Sequence, residues 1–159
     1  MRTLPIAFVT FLFPFFLSEN KVNLVTFEQL QNYAAQKYND TLYVVNFWAT
    51  WCDPCVKELP AFQQEYKKYA GHRVKMIFVS MNAPRDIEKV QNFVDNQKLE
   101  ALVLLLNGGN PNDWIDKIDS SWSGTIPATV MYKSGKKVYF REGSFTTESL
   151  EKVIQLKNK

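Results

Sequence analysis

The chain has 159 residues, enough for one domain with a sizeable core. An apolar share of 46% and a charged share of 22% belong to an ordinary soluble globular protein and exclude a fibrous or disordered chain. A formal net charge of +3, with no dense basic run interleaved with aromatics, argues against nucleic acid as a partner.

The first residues differ in kind from the rest. Arg2 precedes an uncharged run, Leu4–Leu17, broken by Pro5 and Pro14. The run is shorter than the roughly 20 residues that span a bilayer, and it matches the apolar region of a secretory signal. Residues 1–18 are therefore expected to be a signal peptide. Phe16 is a poor residue ahead of cleavage after Ser18, so a retained N-terminal membrane anchor stays open. No cysteine follows the run, so a lipid-modified N-terminal cysteine is excluded. Contact with the membrane is expected only through this segment, and only if it is uncleaved. Export suits redox-active and structural disulfides alike, so compartment does not decide between them.

A domain is expected over residues 22–157. Thr26 and Gln29 have the spacing of a capping box, opening a helix to about Tyr38 with Phe27, Leu30, Tyr33 and Ala34 at helical intervals. Thr41–Trp48 reads as a strand that is apolar on both faces except at Asn46, as a central parallel strand would be. It leads into Asn46-Phe47-Trp48-Ala49-Thr50-Trp51-Cys52-Asp53-Pro54-Cys55-Val56-Lys57-Glu58-Leu59-Pro60, the stretch around which the chain is organised.

Cys52 and Cys55 are the only cysteines, and one helical turn brings their sulfurs within bonding distance. Pro54 costs nothing in a first turn, because its missing N–H would have had no intrahelical partner. Cys52 falls at the helix N-terminus, where free N–H groups and the dipole favour a negative charge. A cysteine so placed has its pKa lowered from about 8.5 to roughly 3.5–7.5, and the thiolate is the nucleophile. The neighbouring charge of Asp53 destabilises the reduced form, pushing the pair towards a reductant. A bare C-x-x-C fits half a zinc site equally well. His72 is the only histidine and lies at poor ligand spacing, so no metal is expected.

The helix after Cys52 is predicted to run to about Ala70, with Cys55, Leu59, Phe62, Tyr66 and Tyr69 in one core stripe and a kink at Pro60. Glu58, three residues beyond Cys55, falls at the edge of that stripe. Partial desolvation there raises a carboxyl's pKa and suits it to proton transfer with the thiol.

Arg73–Met81 is a strand, Asn82-Ala83-Pro84 opens a helix to about Gln97, and Ala101–Leu106 is a short apolar strand. Strands alternating with helices imply parallel pairing with crossovers. A short helix over Asp113–Ile118 precedes Ile126-Pro127. Ala128–Tyr132 and Lys136–Glu142 form a hairpin through Lys133-Ser134-Gly135. Thr146 caps a final helix carrying Leu150, Val153, Ile154 and Leu156. Trp51 and Trp122 are candidates for an apolar platform beside the cysteines.

The run Phe47–Cys55 resembles the active-site segment of the thioredoxin superfamily. Cys55-Val56-Lys57-Glu58-Leu59-Pro60 narrows the resemblance to the TlpA/ResA-like exported thiol–disulfide oxidoreductases, over roughly Val22 to Leu156. The resemblance implies an α/β, thioredoxin-like fold: a central mixed β-sheet flanked by helices on both faces. It implies catalysis by Cys52 and Cys55, with Glu58 beneath them handling a proton. Trp51, Asp53 and Pro54 would form the surrounding shell, with Pro127 as a cis-proline and Ile126 beside the sulfurs. It implies no cofactor beyond a redox-active Cys52–Cys55 disulfide. The partners implied are disulfide-bearing client proteins and an upstream membrane thiol electron donor, in the periplasm. The chain departs from thioredoxin at Asn46, where thioredoxin carries a buried aspartate, and this leaves Glu58 as the acid available to the thiols. Three other readings of the residues stay open: a metal-binding chaperone, a binding module merely stapled by its disulfide, and a thiol oxidase or isomerase.

Overall fold

The structure, a computed structural model, describes residues 20–34 and 40–159. The segment 1–18, expected to be a signal or anchor, lies outside the described residues, as does the end of the first helix up to Tyr38.

Six strands form one sheet: β1 (Asn23–Thr26), β2 (Leu42–Trp48), β3 (Val74–Ser80), β4 (Leu102–Asn107), β5 (Ala128–Lys133) and β6 (Lys136–Glu142), in the order β1-β4-β3-β2-β5-β6. β1, β4, β3 and β2 are parallel, while β5 runs antiparallel to β2 and β6 antiparallel to β5. The helices are α1 (Phe27–Ala34), α2 (Asp53–Lys68), α3 (Ile87–Gln97), α4 (Ile115–Ile118) and α5 (Thr147–Lys157). This is a thioredoxin-like α/β fold.

The two faces of the sheet carry separate cores. On one, Leu59 and Phe62 of α2, Val90 and Val94 of α3, and Leu150 and Ile154 of α5 pack on Val44, Phe78, Val103 and Met131. On the other, Leu30 and Ala34 of α1, Ile118 of α4, Trp114 and Trp122 pack on Val45, Phe47, Ile77 and Val130. The division follows from connectivity. The chain moves from β2 to β3 to β4 in one direction and must turn back from β1 to reach β2. Right-handed crossovers therefore place α2 and α3 on one face and α1 on the other. Every residue of β2 is buried, as its near-continuous apolar sequence demands.

Some features differ from the sequence expectation. β1 was not evident, because only four residues form it and Leu24 remains exposed; the open edge of β4 supplies its pairing. Leu156 and Tyr33 are exposed rather than inward, whereas Leu150 and Ile154 hold the core contact of α5. The chain enters α3 through a 3-10 turn at Pro84–Asp86. α2 continues through Pro60, which lies on its exposed side. Thr146 caps α5 as its sequence predicts, in a reciprocal box with Ser149.

Candidate active site

β2 ends at Trp48, and the chain turns through Ala49-Thr50-Trp51 into α2. The Cys52 N–H donates to the Ala49 carbonyl at 3.1 Å, closing that turn. Cys52 is the N-cap of α2, with extended backbone, and its carbonyl accepts the first helical bond from Val56 N–H at 3.0 Å. Cys52 and Cys55 are joined in a disulfide. The Cys55 N–H points at Cys52 Sγ, 3.3 Å away. A charge-assisted bond from that N–H favours a thiolate on Cys52 once the pair is reduced.

The two sulfurs are unequal in access. Cys55 is fully buried and Cys52 is 5% exposed. Asp53 and Pro54 are exposed in the first helical turn, and Trp51 is 62% exposed beside Cys52. The Ile126 carbonyl oxygen lies 3.7 Å from Cys52 Sγ, and the Ile126–Pro127 peptide bond is cis. Trp122 does not share the surface with Trp51. It is buried on the opposite face of the sheet, 4.7 Å from the Phe47 ring, with its indole N–H on the Thr125 carbonyl. The supposed platform thus reduces to Trp51.

One turn along α2 from Cys55, Glu58 is only 3% exposed, on the inner side of the helix. Asn46 Nδ2 donates to Glu58 Oε1 at 2.8 Å, and Phe145 N–H donates to Glu58 Oε2 at 2.7 Å. Burial pushes the Glu58 carboxyl above its ordinary value, while the bonds from Phe145 and Asn46 and the charge of Arg141 pull part of the way back. The two N–H donors cradle a carboxylate, and the burial favours a carboxylic acid. A group so balanced can take up and return a proton.

Asn46 is therefore more than a substitute for an acid: it holds one in place. Its Nδ2 also reaches Thr129 Oγ1 at 3.2 Å. Neither Thr129 nor Phe145 stands out in the sequence, because both arrive from strands and turns more than eighty residues away. Glu65 was also passed over. It is fully buried on α2 with neither carboxylate oxygen hydrogen-bonded, and burial raises its pKa. Its spacing of seven residues from Glu58 was the available signal, since that interval returns to the same helix face.

Residues 20–141 match the family model described as AhpC/TSA family. Among curated proteins, the chain is 29% identical over 113 residues to the thiol-disulfide oxidoreductase ResA of Halalkalibacterium halodurans, covering 70% of this chain and 60% of that protein. The matched stretch thus spans about 60% of the length of this relative. Among solved structures, StoA of Bacillus subtilis superposes with a TM-score of 0.57 at 26% identity, covering 72% of this chain and 82% of that one. A thioredoxin-related protein of Neisseria meningitidis gives 0.64 at 25%, covering 75% and 86%. With its dithiol motif at the head of a helix on a thioredoxin-like sheet, the chain belongs to the AhpC/TSA family.

Proposed function

We propose that the protein is a thiol–disulfide oxidoreductase acting through Cys52 and Cys55, in the direction of client reduction. The observation that carries this reading is the bonded cysteine pair at the head of α2, with Cys52 retaining 5% exposure and Cys55 fully buried, one helical turn before the buried Glu58. Cys52, as thiolate, attacks one sulfur of a client disulfide. The new S–S bond forms as the old one breaks, and the electron pair leaves on the second client sulfur, which takes a proton. The Cys55 S–H proton passes to Glu58, and the Cys55 sulfur attacks Cys52. The Cys52–Cys55 bond forms, and the electron pair departs on the remaining client sulfur, which takes up a proton as Glu58 gives up the one it received and returns to carboxylate. The client has gained two electrons and two protons, and the protein is left oxidised. No cofactor beyond the disulfide itself takes part.

Trp51, Ile126 and Pro127 flank the outer sulfur and are assigned to client seating. Pro127 has no N–H to donate, so the backbone beside it suits an extended client chain. The reductive direction rests on Asp53, whose exposed charge beside Cys52 opposes a thiolate and favours the disulfide. Running as a reductase requires an upstream thiol donor, which we place in the membrane. We place the protein itself outside the cytoplasm, on the strength of Arg2 and the uncharged run Leu4–Leu17. No helix among the described residues is long and apolar enough to cross a membrane.

Trapping tests the exchange: Cys55→Ser expressed in the native host is expected to accumulate mixed disulfides between Cys52 and its clients. Absence of such adducts, together with ordinary alkylation kinetics for Cys52, overturns the proposal. Equilibration with glutathione tests the direction. A potential near about −120 mV, that of the strongest periplasmic oxidants, would make the protein an oxidase.

A further inference from the structure

β2, β5 and β6 lie side by side, and their register aligns Asn46 with Thr129 and Thr129 with Arg141. The three residues form one row across the sheet. The first of the row donates to Glu58 Oε1 and to the second. The third reaches the same carboxylate by another route. The Arg141 guanidinium lies over the Phe145 ring, with Cζ 4.5 Å from the centroid, and Phe145 N–H is the donor to Glu58 Oε2. A cation over a ring face is held there by the ring's quadrupole, the more firmly the more it is withdrawn from water. The same turn is pinned at its other end, where Gly143 N–H donates to the Pro127 carbonyl at 2.8 Å with Gly143 at φ +98°.

We propose that Arg141 is a positioning residue for the proton step: its guanidinium seats Phe145, and so the N–H that clamps Glu58, and brings a positive charge to bear on that carboxylate. The inference rests on the exchange reading above and adds a residue that acts through Phe145 without touching sulfur. Glu58 must be ionised to receive the Cys55 proton. Burial opposes ionisation, and a nearby cation favours it. The groups packed around Glu58 leave few other sources of charge. β2 and β5 face it with Asn46 and Thr129, which do not titrate in this range, and its own helix presents Cys55. On α5, Glu151 is engaged with Lys68, nearly three turns further along α2. Among the described residues Arg141 is the cation that acts on Glu58.

The test uses reduced protein and the aromatic disulfide dithiobis(nitrobenzoate). One thionitrobenzoate is released when Cys52 attacks and a second when Cys55 resolves the adduct. Arg141→Gln is expected to move the pH midpoint of the second release upward, making it several-fold slower at neutral pH, while the first release is unmoved. Arg141→Lys should return most of the shift. Phe145→Leu, which keeps the N–H and removes the ring beneath the cation, should reproduce it. Superimposable second-phase profiles for wild type and Arg141→Gln overturn the proposal, as does an equal slowing of both phases. A wild-type protein that releases no second equivalent at any pH instead overturns the exchange reading itself. The two failures are thus distinct.

Discussion

Replacing Glu65 by Met should make the protein more stable at neutral pH. Glu65 is fully buried on α2, and neither carboxylate oxygen has a hydrogen-bond partner. Its nearest charges, Lys68 and Glu151, pair with each other. A buried polar group without a partner costs about 1–3 kcal/mol. Met has similar volume and flexes to fill the space. What the substitution gives up is attraction to a half-exposed lysine already paired elsewhere, worth under about 1 kcal/mol. The desolvation effect wins, and the expected gain is about 1–3 kcal/mol. For a domain of this size each kcal/mol raises Tm by about 2–4 °C.

The gain should depend on pH in a definite sense. Burial raises the Glu65 carboxyl above its ordinary 4.5, so the folded protein holds this proton more tightly than the unfolded chain. Its contribution to stability is complete below the unfolded value and is lost as pH rises through the folded one. Wild type should therefore lose ground to Glu65→Met as pH rises from 4 to 8. Glu58 shifts in the same direction but is common to both proteins, so it cancels in the difference. Urea unfolding of both proteins across that range measures the gap. A variant less stable than wild type at pH 7, or a gap that is equal at the two extremes, refutes the reasoning.

Glu58→Gln keeps the shape of the clamp but removes the proton acceptor, and it sets an amide N–H₂ against one of the two N–H donors. Single-turnover reduction of a disulfide substrate should slow by about 10²-fold, the usual scale for losing a general base, with the loss falling on the Cys55 step rather than on the first attack by Cys52. Gly108→Ala should destabilise the protein by about 1–3 kcal/mol, because a methyl group there would lie 2.6 Å from Nε1 of Trp114, whose ring is buried and cannot readily give way. Denaturant unfolding checks this, and Cys52 alkylation should stay unchanged because Trp114 belongs to the opposite face of the sheet.

Local signals in this chain are strong where one segment suffices to define them. The turn from buried strand to helix at Cys52 is written in one continuous stretch of chain: apolar β2, the paired cysteines, a first-turn proline and the stripe that follows. The capping residue of α5 and the β5–β6 hairpin are written in the same way, and each appears where its residues place it. The alternation of strands and helices likewise determined a parallel sheet with covered faces, because right-handed crossovers leave few other arrangements. The depth of Glu58 was partly legible, since position on a helix locates a residue at the edge of a stripe.

Tertiary structure alone decided what surrounds that carboxyl. Asn46, Thr129 and Arg141 come from three strands and meet because sheet register sets them in line, while Phe145 arrives from the loop that follows β6. Register is a pairing between strands and has no trace within either one. The same reason hid β1, which exists only as a partner to the edge of β4, and it returned Trp122 to the core by assigning its loop to the far face. Sequence by itself determined the dithiol and the helix that presents it. Folding determined what holds Glu58 in place beneath it, because hydrogen bonds to a buried carboxylate must be gathered from wherever the packed chain brings a donor.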